Sequence, residues 1–432
     1  MSSATSVSSD RTTLREPQLS ALSRIFYSPL WMVGVGLLVR LVCIAVELLS
    51  GVYKVPWNLF ETVNIGLSLA QGHGFASPFG GSTGPTAWTA PMYPWLISLA
   101  FRIFGMGSIG AAFALFSLNS IFSALTSWII YRIARRTFNL KVAAWSGWIW
   151  TFFPFAVYWS VLWIWDTTLS AFLLSLLFML TLELDGDSRL WRWICYGMLW
   201  GVAALGNTSV VAWLPFSGCW LAYRLYRARK PFIVPVVVSA LVFWAVITPW
   251  LIRDHAVFNK WMFIRGDLGS ELRIGNNPDA KGKWTVSYTC NNEHLFAEYK
   301  TLGEAAYDSL QAQRARQWIA ENPARFLSLS CRKFFYFWYG VPESPLPRLE
   351  NVLFAALALL SLGGLLLAAR RRVHGLFLFA TLLIFYPMVY YITFPMTRYR
   401  HPIEPVMLIL AVWAVIAEPS SRTSRAVEAR SE

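Results

Sequence analysis

The sequence predicts an all-α protein, a polytopic bundle of about ten transmembrane helices. Of its 432 residues, 56% are hydrophobic and 14% are charged, whereas soluble domains carry about 25% charged residues. Apolar runs of about 20 residues recur, and each is long enough to cross about 30 Å of hydrocarbon. The short loops after alternate runs are basic or of mixed charge, which is typical of the inner side of a membrane.

The net charge of +14 raises the question of a nucleic-acid partner. The basic residues, however, lie in short loops between apolar runs, where they set membrane orientation. We therefore expect a lipid bilayer as partner and no nucleic acid, with both termini in the cytoplasm. Hydropathy and charge divide the chain into a disordered cytoplasmic tail (1–28), a transmembrane domain (29–252) with a first external loop (51–107), a second external loop (253–348), C-terminal transmembrane helices (349–418) and a cytoplasmic tail (419–432).

Both external loops contain segments predicted to be amphipathic helices at the membrane interface. The apolar segment 93–104 is short for a span. If it crossed the membrane, the basic cluster at 131–136 would lie outside, so we interpret the segment as interfacial or re-entrant. In the second loop, a helical stretch over 302–321 precedes a basic aromatic segment, 332–338, whose composition suits the headgroup region.

A few polar residues and cysteines leave alternatives open. Arg40 and Glu47 lie seven residues apart on one face of the first span, either in a polar cavity or in a satisfied helix contact. The five cysteines have no metal-binding spacing. Cys290 and Cys331 could form a disulfide in an oxidising compartment or remain free thiols.

Two carboxylates on the external side are the candidate catalytic residues. Glu61 opens a helix in the first loop, and Asp166 begins a span. A carboxylate can accept the proton of a hydroxyl or amine nucleophile during group transfer. The alternative for Glu61 is that it only caps its helix.

Cations near these carboxylates suggest a phosphate-binding site. Arg398 and Arg400 lie beside a span end, and Arg265 is a second candidate. Guanidinium groups bind phosphate through paired hydrogen bonds, although the first two could also be interfacial anchors. His73 and His401 could hold a divalent metal beside the acids, but no ligand spacing supports one.

The first loop resembles that of C-type glycosyltransferases, polytopic enzymes that use polyprenyl-phosphate sugars. The likeness is closest to bacterial members related to protein O-mannosyltransferases and the aminoarabinose transferase. It is carried by Glu61, the run Asn64-Ile-Gly-Leu-Ser-Leu-Ala70, Gly72-His-Gly-Phe75, Gly84-Pro-Thr-Ala-Trp88 and Pro91-Met-Tyr-Pro94. Trp165-Asp166, the block 265–277 and the block 398–404 also resemble segments of bacterial members.

The resemblance implies an inverting transfer by direct displacement, at the periplasmic face of a bacterial inner membrane, to a protein, lipid or glycan acceptor. Glu61 would be the base, assisted by Asp166. Many relatives have Asp, often in an Asp-Glu pair, where this chain has Phe60 before a single Glu61. The remaining candidate substrate-binding residues are Asn64, His73, Tyr93, Arg265, Glu271, Asn276, Arg398, Arg400, His401 and Glu404. No cofactor is required by this reading, and a divalent metal is an optional addition.

Two other classes of function compete with this interpretation. A flippase or transporter of lipid-linked sugars would need a polar path through the bilayer, yet the predicted spans contain little charge and the chain has no clear internal repeat. A non-catalytic assembly or sensor protein would tolerate loss of both carboxylates.

Overall fold

The computed structural model describes residues 21–50, 55, 57, 60–342 and 347–417, whose regular structure is helical apart from one isolated bridge between Ala76 and Pro85. The helices before the second external loop are α1 (Ala21–Phe26), α2 (Pro29–Ser50), α3 (Glu61–Ala70), α4 (Met92–Phe104), α5 (Ile109–Thr137), α6 (Leu140–Phe152), α7 (Pro154–Val161), α8 (Thr167–Glu183), α9 (Leu190–Gly206), α10 (Leu214–Arg227) and α11 (Ile233–Phe258). The predicted C-terminal tail and most of the N-terminal tail lie outside the described residues.

Among the described residues, the second external loop and the C-terminal region contain nine more helices. These are α12 (Leu268–Gly275), α13 (Glu293–Leu302), α14 (Glu304–Glu321), α15 (Pro323–Tyr339), α16 (Pro347–Arg370), α17 (Leu376–Phe385), α18 (Met388–Ile392), α19 (Thr397–Arg400) and α20 (Glu404–Ile416). Short 3₁₀ helices occupy Thr208–Trp213, Val286–Tyr288 and His401–Ile403. The predicted all-α fold class is confirmed by this arrangement.

Five helices in the described part of the chain are long and apolar enough to cross a membrane. They are Pro29–Ser50, Ile109–Thr137, Ile233–Phe258, Leu349–Arg370 and Thr397–Ile416, the last including α19 and the following 3₁₀ turn. The protein is therefore a multi-pass membrane protein. The other predicted spans correspond to shorter or interrupted helices, so the total of ten spans stays a prediction.

Proline explains the interruptions. The predicted third span is divided into α6 and α7 at Phe153, immediately before Pro154, because the residue before proline disfavours helical backbone angles. The predicted sixth span begins as the 3₁₀ helix Thr208–Trp213, and Pro215 then lies in the first turn of α10. Pro387 lies between α17 and α18, and it has no N–H to continue the helical hydrogen bonds.

Glycines allow the main helix pairs to approach closely. A Cβ atom on Gly201 would lie 2.6 Å from Val246 Cβ, at the contact between α9 and α11. A Cβ on Gly364 would lie 1.9 Å from the Leu410 carbonyl oxygen, between α16 and α20. Small residues at helix crossings increase van der Waals contact, which stabilises helix association within a bilayer.

The external loops contain the helices that the sequence predicts there. In the first loop, the 13-residue helix α4 packs against α3, and a Cβ on Gly66 would lie 2.5 Å from Ile97 Cγ2. In the second loop, the predicted helix over 302–321 corresponds to α14. The predicted basic aromatic helix corresponds to α15, on which Phe334 and Phe335 are exposed.

The structure decides two of the alternatives left by the sequence. Arg40 is fully buried and donates hydrogen bonds to the carbonyl oxygens of Gly36, at 2.9 Å, and Thr151, at 3.0 Å. It therefore makes a helix contact and does not line the larger cavity described below. Cys290 and Cys331 are both free thiols, the first buried and the second exposed.

Candidate active site

One cavity of about 600 Å³ brings together acids and cations from distant parts of the sequence. It is lined by five residues that the sequence singles out as candidates: Glu61, Asp166, Arg265, Glu271 and Arg398. They come from the start of α3, the start of α8, the segment before α12, α12 itself and α19. The folded chain therefore concentrates opposite charges in one recess.

Glu61 is the first residue of α3 and is half-buried at the cavity wall. The N-cap residue is Phe60, which makes no side-chain capping bond. Burial raises the pKa of Glu61 above its ordinary value, while its own backbone N–H, Arg398 and Arg265 act in the opposite direction. A carboxyl group with a raised pKa near guanidinium groups is suited to proton transfer near neutral pH.

Phe60 also helps to align the two acids. Its ring contacts the rings of Trp163 and Trp165, with both centroid distances at 5.2 Å. Because Trp165 directly precedes Asp166, this aromatic contact ties the start of α3 to the start of α8. Phe60, which precedes Glu61 where many relatives have an acidic pair, thus has a packing role here.

Asp166 occupies the N-cap position of α8, but its side chain makes no capping bond to that helix. Burial raises the pKa of Asp166 to about 6, although Arg398, Arg265 and the side-chain amide of Asn207 favour the ionised form. Asn207 is itself oriented by a 3.1 Å hydrogen bond to Ser170 Oγ. The carboxylate is therefore held toward the same two guanidinium groups that face Glu61.

Arg398 carries the guanidinium group with spare hydrogen-bonding capacity. Its Cζ lies 4.1 Å from the centroid of the Trp165 ring, a cation–π contact that fixes the plane of the group. Its Nε is buried and has no hydrogen-bond partner in the described part of the chain. A buried donor without a partner is costly, so a ligand oxygen at this position would satisfy it.

Arg265 is restrained by acids of its own segment. It pairs with Asp267, and its Nε donates to the carbonyl oxygen of Trp88 at 3.2 Å. Burial and the neighbouring Asp267 carboxylate raise the pKa of Glu271 to about 8. The raised pKa favours the protonated form of Glu271, which can donate a hydrogen bond into the cavity.

The cavity has walls of different character. Aromatic and apolar side chains form the wall next to the membrane helices: Phe60, Trp163, Trp165, Tyr386, Tyr390 and Phe394. Residues of the predicted external loops also line it, including Phe79, Trp88, Trp284, Tyr288 and Asn291. Together with the charged residues, this lining can accept a ligand with an apolar part and a polar part.

Three further residues of this cavity are not among the sequence candidates for the site. Asp267 and Tyr399 line it next to predicted residues, and Asn207 orients Asp166. Asp267 could have been found from its position within the Arg265–Glu271 block. The sequence marks Asn207 only as one of the polar residues on the external side, because its contact with α8 depends on how the helices pack.

Arg400, His401 and Glu404 do not line this cavity, and their assignment as substrate-binding residues stays a prediction. Arg400 is fully buried, pairs with Glu404 at 3.0 Å, and donates to the carbonyl oxygens of Trp338 and Phe354, both at 3.0 Å. His401 Nδ1 lies 2.7 Å from the other Glu404 oxygen. The three side chains pair with one another, although His401 Nε2 has no partner in the described part of the chain, and Arg400 connects α20 to α15 and α16.

The candidates of the first loop other than Glu61 also have structural positions. Asn64 Nδ2 donates to the Pro78 carbonyl at 2.8 Å, which holds the glycine-rich loop against α3. His73 is exposed. Tyr93 is buried, and its hydroxyl accepts a 2.8 Å hydrogen bond from Asn119. None of the three lines the cavity, because successive helix and turn residues point in different directions.

Asn276 is likewise a support of the cavity wall and not a part of its surface. Its side-chain amide donates to the Ile392 carbonyl at 2.9 Å and accepts from the fully buried ammonium of Lys333, also at 2.9 Å. Lys333 also donates to the Ile392 carbonyl at 2.9 Å. This junction joins the C-terminus of α12, which carries Glu271, to the segment that leads to Arg398.

The first external loop is held in place from two sides. Arg253 donates to the carbonyl oxygens of Thr86, at 2.6 Å, and Phe75, at 2.9 Å. Glu304, which is 5% exposed, accepts hydrogen bonds from the Thr86 hydroxyl, the Ala87 N–H and the Tyr299 hydroxyl. These contacts fix the loop beside Trp88, which lines the cavity.

Glu304→Ala is therefore expected to destabilise the protein by about 3 kcal/mol, because three buried donors would lose their acceptor. The measurement is the melting temperature of the purified protein in detergent. Glu321→Ala, at an exposed acid on the same helix, is the control and should leave the melting temperature within about 1 °C, as expected for a surface change. Equal effects of both substitutions would contradict this role of Glu304.

The donor set does not fit a metal site. In the described residues, no group of three His, Cys, Asp and Glu side chains could hold a metal ion. The acids of the cavity face Arg265 and Arg398, whose charges disfavour a cation at the same position. The divalent metal considered from the sequence stays a prediction, and no chemical step is assigned to it.

Residues 88–253 match the family model described as dolichyl-phosphate-mannose-protein mannosyltransferase. The resemblance predicted from the sequence is confirmed over this stretch, which includes Asp166 but not Glu61, Arg265 or Arg398. No curated protein matches the chain.

Solved structures of the oligosaccharyltransferase from Archaeoglobus fulgidus have a similar fold. One, tethered to an acceptor peptide with the NVT sequon, has a TM-score of 0.51 at 15% identity, and the match covers 90% of this chain and 50% of that one. Another, AglB with an inhibitory peptide and a dolichol-phosphate, has a TM-score of 0.50 at 15% identity, covering 93% and 52%. A complex with Zn and sulfate has a TM-score of 0.49 at 15% identity, covering 88% and 48%. The chain thus spans about half the length of these structures.

Proposed function

We propose that this protein is a membrane glycosyltransferase that transfers a sugar from a polyprenyl-phosphate-linked donor to an acceptor, with inversion at the anomeric carbon. The observation that carries the proposal is the shared cavity, where Glu61 and Asp166 both face Arg265 and Arg398. The family match over residues 88–253 and the fold of the oligosaccharyltransferase support it.

The reaction that fits these groups is a single displacement. A hydroxyl or amine of the acceptor attacks the anomeric carbon, and the new bond forms as the bond from that carbon to the phosphate oxygen breaks. Glu61 accepts the proton of the nucleophile, and Asp166 orients the acceptor. The electron pair of the broken bond remains on the polyprenyl phosphate, whose developing charge is stabilised by Arg398 and Arg265.

The cavity walls suggest how the substrates enter. The lipid-linked donor would approach along the aromatic wall beside Tyr386 and Phe394, next to the membrane helices. The acceptor would approach from the external loops beside Trp88 and Trp284. The acceptor belongs to the protein, lipid or glycan classes, and we infer that the reaction takes place on the periplasmic side of a bacterial inner membrane, with both termini in the cytoplasm.

The direct test is transfer by the purified protein from a synthetic polyprenyl-phosphate sugar to a panel of protein, lipid and glycan acceptors. We expect a new glycosidic bond together with release of the lipid phosphate. The same donor is also supplied to protein in sealed vesicles. Movement of the intact donor across the vesicle membrane, with no new glycosidic bond, would favour a flippase and overturn the proposal.

The pH dependence of transfer should report the ionisation of Asp166. Because the pKa of Asp166 is about 6, kcat/KM is expected to rise with pH through about 6. The base Glu61 also has a raised pKa, so the rise continues until both carboxylates are ionised. The measurement is kcat/KM between pH 5 and pH 8. A rate that does not change between pH 5 and pH 7 would contradict a requirement for ionised Asp166.

The raised pKa of Asp166 also predicts how this residue affects the stability of the folded protein. The folded-state pKa of Asp166 lies above the unfolded value of about 3.9, so ionisation destabilises the folded state as the pH rises from about 4 to 6. Asp166→Asn removes this cost. At pH 7.5 the variant should therefore melt at or above the temperature of the unchanged protein, whereas Glu293→Gln, at an exposed position, should cause no shift. A lower melting temperature for Asp166→Asn would contradict the prediction.

A further inference from the structure

A second cavity, of about 320 Å³, lies at the other end of the bundle from the candidate active site. Its walls come from the last turns of α5 and α8. Because α8 begins beside Asp166 and contains 17 residues, its two ends are about 25 Å apart. The two cavities therefore lie near opposite faces of the membrane.

The second cavity combines basic and apolar side chains with one acid, Glu183. Arg132, Arg135 and Arg136 of α5 line it, and all three are exposed. Ile133, Met179 and Leu182, which are buried, form its apolar surface. A cavity with this composition at a helix end fits a phosphate group that is attached to an apolar body.

The acids of this face are already paired with other cations. Glu183 pairs with Arg132 at 2.6 Å. Asp187 pairs with Arg189 at 2.6 Å and with Arg192 at 2.5 Å. Glu183 and Asp187 are thus neutralised by arginines other than Arg135 and Arg136.

Asp185 is occupied as well, by Arg224 at 2.5 Å and by His374 at 2.8 Å. In the described part of the chain, Arg135 and Arg136 make no ion pair or side-chain hydrogen bond, although they are adjacent in sequence and line the same cavity. Two neighbouring guanidinium groups without a counter-charge form a site for an anion with several oxygen acceptors.

We propose that this cavity binds the headgroup of an anionic phospholipid, with Arg135 and Arg136 contacting the phosphate and the apolar residues contacting the glycerol and upper acyl carbons. The site is separate from the proposed glycosyltransferase reaction, and its occupancy stabilises the bundle where α5 and α8 end. A ligand that binds only the folded state raises its stability in proportion to occupancy.

The test compares lipids and variants of the purified full-length protein in detergent. Phosphatidylglycerol is expected to raise the melting temperature by roughly 3 °C more than phosphatidylcholine does. Native mass spectrometry should detect phosphatidylglycerol that remains bound. In the variant Arg135→Gln/Arg136→Gln, both the additional shift and the retained lipid should be lost.

A matched control removes the same charge from the same face. Arg227→Gln/Arg370→Gln changes two exposed arginines that do not line the cavity, and this variant should keep the phosphatidylglycerol response. Loss of the response in both double variants would indicate attraction by surface charge alone and would overturn the site. If glycerol phosphate, which lacks acyl chains, raised the melting temperature as much as phosphatidylglycerol does, the proposal that the ligand is a lipid would be overturned.

Discussion

Glu61→Gln is expected to fold normally and to lower the turnover of sugar transfer by a factor of about 10² to 10⁴. The amide has nearly the shape of the carboxylate but cannot accept the proton of the attacking nucleophile. The neighbouring guanidinium groups of Arg265 and Arg398 remain in place. Turnover is measured as release of lipid phosphate at saturating donor, and the melting temperature is measured in parallel.

Two further variants make this result specific. Asp166→Asn should also lower turnover strongly, because the acceptor loses an ionised orienting group. Glu321→Gln changes an exposed acid on α14 and should leave turnover within a factor of two. Unchanged turnover in Glu61→Gln would remove this residue from the chemistry, whatever happens to Asp166→Asn.

Arg398→Gln is expected to lower turnover by about 10² to 10³, the usual effect of removing a donor that stabilises a developing negative charge. The guanidinium group is fixed over Trp165, and its Nε has no hydrogen-bond partner among the described residues. Arg398→Lys keeps the charge but loses the planar paired donors. This variant should therefore recover only part of the activity.

The control for Arg398 is Arg316→Gln, at an exposed arginine of the external helix α14. It removes one positive charge outside the cavity and should change neither KM for the donor nor turnover by more than a factor of two. If Arg398→Gln affected only the melting temperature and left turnover unchanged, Arg398 would be a structural anchor, as the sequence alone allowed.

Much of the fold follows from local properties of the sequence. The long apolar runs and basic short loops predict the membrane helices, because the cost of burying charge in hydrocarbon leaves few other arrangements. The short segment 93–104 forms the 13-residue helix α4 beside α3, and its interfacial or re-entrant position stays a prediction. Proline positions account for the divided helices, although the sequence-based boundaries treated 142–162 as one continuous span.

The candidate site was only partly predictable. Glu61, Asp166, Arg265, Glu271 and Arg398 line one cavity, and these five were among the polar residues expected on the external side. Asn64, Tyr93 and Asn276 belong to the same sequence blocks but support the backbone of neighbouring segments. A motif identifies a segment near a site, whereas the direction of each side chain depends on helix rotation and packing.

The sequence by itself determined the class of protein, since this depends on hydropathy and charge along the chain, and it predicts that the charged groups gather on the external side. Only the tertiary structure decided which guanidinium groups face the cavity. Arg398 and Arg400 are two residues apart on α19, which places them about 200° apart around the helix axis. Arg398 therefore faces the acids of the cavity, and Arg400 faces the interior, where Glu404 neutralises it.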